Sequence, residues 1–132
     1  MPPTEPAIVP TLRDHVGDKL RVVAEYGPEE YRFLYHRDDI AEGYTEDEMA
    51  QIFRDLVLEG MARDHLEDVF HLGDFECGVM KFSGGTVFHF ATGEYSGLAV
   101  SIDADAEFEF HAFVEDCRSW GAVDPAGGTD PT

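Results

Sequence analysis

A chain of 132 residues with 43% hydrophobic side chains has room for one packed core and material to fill it, which excludes wholesale disorder and a second domain. Against nine Lys and Arg stand 28 Asp and Glu, a formal net charge of -19. Binding to a phosphate backbone draws on basic side chains that release counterions, so nucleic acid is not an expected partner.

The opening MPPTEPAIVP has neither the basic region nor the apolar region of a leader, and residues 1–5 read as loose. From residue 6 a single domain is expected to run to residue 121, followed by a flexible tail over 122–132. Ile8, Val9, Leu12 and Val16 fall at helical spacing, with Pro10 in the first turn and Gly17 as the stop, predicting a short amphipathic helix that ends near residue 16.

LRVVAEY and YRFLYHR, joined by GPEE, predict a β-hairpin over 20–38. Pairing Tyr26 with Tyr31 sets Ala24 opposite Phe33, Val22 opposite Tyr35, Glu25 opposite Arg32 and Arg21 opposite His36. That register gathers Leu20, Val22, Ala24, Tyr26, Tyr31, Phe33 and Tyr35 on one face. A polar connection, RDDIAEGY, leads to Thr45 and Glu48, spaced as a capping box. Met49, Ile52, Phe53, Leu56 and Gly60 mark the buried stripe of the helix that follows. Its rhythm continues through Leu66, Val69 and Phe70 to about residue 71, with a kink at Gly60, although LEDVFHL is also compatible with a strand.

Phe75 to Ile102 contains three apolar runs separated by SGG and TGEYSG, the pattern of a three-stranded meander. Its last strand has an unusually small side, Gly97, Ala99 and Ser101. Asp103 or Asp105 is then expected to cap a final helix whose apolar positions are Ala106, Phe110, Phe113, Val114 and Cys117, with Phe108 on its outer side. The order α-β-β-α-β-β-β-α predicts an α+β fold: a single five-stranded antiparallel sheet with helices packed on it. Roadblock and profilin-like folds share that order, an analogy of fold that transfers no activity.

HVGDKLRVVAEYG, YRFLYHRDDI, YTEDEM, GVMKFSGGTVFHFATGEYSGLAVSIDADA and FVEDC together resemble a family of small acidic haloarchaeal proteins of unknown function, from Leu12 to Cys117. The resemblance implies a halophilic, cytoplasmic setting and brings no catalytic residues with it. Charge argues independently in the same direction. The acids are dispersed, only Lys19 and Lys81 are lysine, and at molar salt the Debye length shrinks to about 3 Å, which removes most of the self-repulsion of so acidic a domain. An acidic patch that meets a basic partner is the alternative. No run approaches the roughly 18 apolar residues of a membrane span.

Three constellations carry candidate chemistry. Arg21, His36, Arg37, Asp38 and Asp39 gather at one end of the hairpin, either as a small anion site that also uses Tyr26 and Tyr35 or as an edge network of ion pairs. Asp64, Asp68 and His71 lie at i, i+4 and i+7 and would present carboxylates and imidazole to a divalent metal if the helix persists, though a chain this rich in acids produces such triplets by chance. His89 interrupts the apolar run TVFHFAT, where a buried histidine usually packs and makes a hydrogen bond to a neighbour. Cys77 and Cys117 sit in apolar patterns and read as buried thiols. No nucleophile motif is present, and SGGT lacks the lysine and helix of a phosphate loop, so no cofactor is expected. The leading reading is a non-enzymatic interaction or regulatory module that associates with itself, as a homodimer, or with another protein, using Gly97, Ala99, Ser101 and Phe108. A small-ligand sensor and a metal-dependent enzyme are the alternatives.

Overall fold

The computed structural model describes residues 6–122, to which all structural statements refer. Helix α1 (Ile8–Val16) ends at Gly17, whose φ of 62° is the left-handed conformation glycine adopts without a Cβ penalty. A 3₁₀ turn (Gly17–Lys19) leads into strands β1 (Leu20–Tyr26) and β2 (Tyr31–His36). The polar connection after β2 holds a single helical turn, α2 (Asp38–Ala41). Helices α3 (Glu46–Met61) and α4 (Arg63–Phe70) follow, then β3 (Gly78–Phe82), β4 (Gly85–Ala91), β5 (Gly97–Asp103) and α5 (Phe110–Ala122). The expectations for residues 1–5 and 123–132 fall outside the described residues, while Ala122 belongs to α5.

All five strands form one antiparallel sheet in the order β2-β1-β5-β4-β3. The fold class expected from the sequence is the one observed. Helices α1 and α5 cover one face, where Leu12, Val9, Leu20, Val23, Val100 and Phe113 are buried. Helix α3 covers the other, packing Phe53 and Leu56 on Ala24, Tyr26 and Ala99. The capping box is formed as predicted: the Glu48 backbone N–H donates to Thr45 Oγ1, and the Thr45 N–H to Glu48 Oε1. The helix does not continue unbroken to residue 71. It breaks at Ala62, next to Met61 and not at Gly60, and α4 ends where His71 turns left-handed at φ 58°. The strand alternative for this segment is not realised.

Two bulges correct the predicted hairpin. Tyr26, Glu25 and Ala24 pair as expected with Tyr31, Arg32 and Phe33, but Leu34 is then an extra residue in β2, so Val23 faces Tyr35 and Val22 faces His36. A second irregularity between Leu20 and Val22 against β5 makes Arg21 the extra residue in β1. One inserted residue exchanges the faces of everything beyond it. Leu20 and Tyr35 therefore pack with the α1/α5 core, Arg13 lies 4.6 Å above the Tyr35 ring, and His36 moves to the α3 face.

Two further boundaries differ. The first meander strand begins at Gly78, not Phe75, and Asp103 ends β5 instead of capping the last helix. Helix α5 is capped by Glu109, whose carboxylate accepts from the N–H groups of His111 and Ala112. Phe108 turns inward, with its ring 6.0 Å from Phe88 and 5.0 Å from Phe113.

The seat of α3 depends on missing side chains. A Cβ on Gly97 would lie 2.6 Å from the Tyr26 hydroxyl and 2.8 Å from the Phe90 carbonyl oxygen, and one on Gly60 would lie 3.3 Å from the Ala91 Cβ. Because the Phe90 oxygen is backbone, Gly97→Ala has no local escape. We expect it to cost about 1–3 kcal/mol of overpacking, read as a lowered urea midpoint at molar salt, with an unchanged midpoint as the contrary result.

Candidate functional site

The face under α3 carries two polar clusters, toward opposite ends of the sheet, and an apolar cleft. At the end formed by Tyr26 and the last turns of α3, Tyr26 and His89 Nε2 are 2.6 Å apart, and His89 Nδ1 is 2.5 Å from Glu59 Oε1. Their order fixes the proton positions. An ionised carboxylate only accepts, so Nδ1 donates to Glu59, Nε2 accepts, and the tyrosine hydroxyl donates to it. Burial pushes the His89 pKa below its ordinary value despite the opposing pull of Glu59, and burial together with Glu59 raises that of Tyr26, so imidazole and phenol are both held neutral. Arg63 closes this end by donating to the Ala91 carbonyl. Gly78 makes room for the Glu59 carboxylate, which a Cβ there would approach to 2.7 Å. His89 had been legible as a hydrogen-bonded core histidine; its partners had not. The sequence signals that point to them are Gly60, next to Glu59 inside a helix, and Gly78 at the start of a strand.

The other end brings together part of the predicted polar cluster and adds Asp103. Arg37 makes a bidentate pair with Asp103 at 2.8 and 3.1 Å, a second with Asp39 at 2.7 and 3.2 Å, and donates from Nη1 to the Asp18 carbonyl. These five bonds use all five of its N–H donors. Hydrogen bonding to Arg37 holds both carboxyls below their ordinary pKa, and Arg37 itself is held charged chiefly by its bonds to Asp103 and Asp39. Arg21 is less committed: its Nε donates to Ser101 Oγ at 3.0 Å, and Nη1 lies 3.7 Å from Asp103. His36 lies edge-on to Phe33, with ring centres 5.8 Å apart. Of the residues read as one site, Arg21, His36, Arg37 and Asp39 come to this end. Tyr26 belongs to the opposite end, Tyr35 lies across the sheet, and Asp38 sits exposed in α2.

Between the ends lies a cleft of about 330 Å³ floored by Val22, Ala24, Ala99 and Ser101 and walled by Phe33, Met49, Phe53 and Leu56. The small side of β5, read as an approach for a second subunit, is covered by this chain: Tyr26 crosses Gly97, and α3 overlies Ala99. The predicted metal triplet does not assemble. Among the described residues no three His, Cys, Asp or Glu side chains form a group able to hold a metal, and His71 leaves the helical path that would have carried it over Asp64 and Asp68. Burial raises the pKa of the Cys77 and Cys117 thiols, which keeps them protonated and poorly nucleophilic.

Sheet order and helix placement define an α+β domain with one five-stranded antiparallel sheet and helices on both of its faces. A solved Roadblock/LC7 domain from Streptomyces avermitilis superposes with a TM-score of 0.54 over 87% of this chain and 89% of that one, at 15% identity, a likeness of fold alone. The chain belongs to the family described as domain of unknown function DUF7522, whose model matches residues 6–120. No curated protein matches it. Among the described residues no helix is long and apolar enough to cross a membrane.

Because His89 is neutral in the fold and titrates near 6.5 when unfolded, the unfolded chain binds the extra proton first as pH falls. Its contribution to stability is present above pH 6.5 and is lost progressively below it, down to the depressed folded pKa, at up to about 1.4 kcal/mol per pH unit. His89→Gln keeps one donor and one acceptor without titrating. Urea unfolding between pH 7 and pH 5 should show a shallower fall for this variant than for the parent, whereas parallel curves would remove His89 as the source.

Proposed function

We propose that this chain is a non-enzymatic interaction module that pairs with a second copy of itself along β3, in the salt-rich cytoplasm to which its composition is suited. The observation that carries the reading is the character of that edge. Strand β3 lies at the margin of the sheet, and its sequence GVMKF contains no acid in a chain that has 28. Two copies each bearing -19 repel over most of their surfaces, and an acid-free strand is where close approach costs least. Molar salt screens the remainder.

The edge also presents apolar side chains, with Val79 44% and Phe82 57% exposed. The chain leading into it exposes Leu58, Met61, Val69, Phe70 and Leu72. Sheet edges of this kind are templates for pairing unless charge, proline or a bulge blunts them. The opposite margin, β2, is blunted by its bulge at Leu34, whereas β3 carries the single charge of Lys81, opposite in sign to the rest of the surface, and keeps a regular register with β4 throughout. A two-residue turn, Ser83–Gly84, closes on Phe82 and Gly85. The closing pair of such a hairpin is hydrogen-bonded, so bonds alternate inward at Phe82, Met80 and Gly78, and the N–H groups of Val79 and Lys81 point to the open edge. Antiparallel self-pairing about Met80 uses the same groups on both copies, as a two-fold interface requires.

The roadblock-type fold is compatible with such a role, and its family description assigns none. Sedimentation equilibrium at molar KCl and tens of micromolar protein should give a dimer. Lys81→Pro, which removes an outward N–H, and Phe82→Glu, which adds a charge, should each give a monomer with an unchanged far-UV circular dichroism spectrum. A monomeric parent, or a dimer unaffected by both substitutions, would contradict the proposal.

A further inference from the structure

The cleft under α3 is unlike the rest of this molecule in charge. Across the whole chain acids outnumber bases threefold, yet the cleft lining includes Arg21 and His36 and only one acid, Glu46. Its mouth is apolar, with Phe33, Tyr44 and Ile52 all exposed although each is large and hydrophobic. An apolar slot with one fixed cation at its end is the arrangement that orients a small amphipathic anion.

Arg21 has the free capacity for that task. Its bond to Ser101 and its ion pair with Asp103 engage Nε and Nη1, and Nη2 has no partner among the described residues. Arg37, beside it, has none to spare, since Asp103, Asp39 and the Asp18 carbonyl take all five donors. That division gives Arg37 the task of fixing Asp103, and Asp103 holds Arg21 at the end of the cleft. The bulge at residue 21 is what aims this arginine at Ser101 on the α3 face.

We propose that the cleft binds a small monocarboxylate with an apolar body, its carboxylate on Arg21 and His36 and its carbons on the floor made by Ala24 and Ala99. Size and charge limit the choice. At about 30 Å³ for each water-sized unit, 330 Å³ holds about ten non-hydrogen atoms, the size of a medium-chain or aromatic carboxylate. Glu46 disfavours a second anionic group. The small side chains on β5 are needed here as well, because a larger residue at Ala99 would fill the floor.

Octanoate is the probe, titrated into the full chain at molar KCl while the methyl resonances of Met49 and Ile52 are followed by NMR. The expected result is saturable shifts with a Kd of about 1 mM or tighter, octan-1-ol binding at least about tenfold more weakly, and octylammonium not binding. Arg21→Gln should weaken octanoate by about tenfold and leave octanol unchanged, and Ala99→Leu should abolish both. If Arg21→Gln does not fold, the comparison of octanoate with octanol on the parent decides alone. No saturable shift with octanoate, or equal binding of octanoate and octanol, would overturn the proposal. The β3 variants leave this cleft intact, so loss of the dimer and loss of octanoate binding are separable results.

Discussion

The close seating of α3 on the sheet is the constraint on which the rest of this structure depends. A helix reaches within contact of a β-sheet only where side chains between them are small, and here Gly60 on the helix with Gly78 and Gly97 on the strands provides the space. Into it go three polar side chains, Tyr26, His89 and Glu59, each satisfying the next. The arrangement is costly to disturb at any member, because removing one partner leaves a buried donor or acceptor without a hydrogen bond. It also anchors only the C-terminal half of α3. Toward its N-terminus the helix is held by apolar contact and by the Tyr31–Phe53 stack, ring centres 4.4 Å apart, with the cleft enclosed between these supports.

Much of the architecture was legible because the apolar periodicity and the turn chemistry agreed. Ile8 to Val16, the Thr45–Glu48 cap and the meander turns all specify elements locally, and the sheet follows from their order. What escaped was nonlocal. Nothing in LRVVAEY or YRFLYHR marks Arg21 or Leu34 as extra residues, since each bulge arises from fitting a strand to its neighbour. The consequence reaches the candidate site directly: the extra residue Leu34 moves Tyr35 off the face it would share with Phe33 and into the α1/α5 core, and brings His36 to the α3 face in its place.

The same limit explains the mixed fate of the polar candidates. Asp103 looked like a helix cap because it precedes an amphipathic stretch, yet Glu109 reaches the α5 N–H groups and Asp103 is taken by two arginines. The Asp64–Asp68–His71 triplet needed a helix longer than the chain supports. The small side of Gly97, Ala99 and Ser101 suggests a partner, yet Tyr26 of the same chain lies over Gly97, α3 packs on Ala99, and Ser101 floors the cleft beside Arg21. Small residues announce close approach without naming what approaches.

The central claim is that a neutral His89, bonded through both ring nitrogens, locks α3 to the sheet. Imidazole nitrogen chemical shifts of His89 in uniformly ¹⁵N-labelled protein test it most directly. The expected result is a single tautomer protonated at Nδ1, with Nε2 an acceptor, still mainly neutral at pH 6.5, where an ordinary imidazole is half protonated. A proton on Nε2, a tautomer-averaged ring, or an imidazolium already formed at pH 6.5 would contradict it.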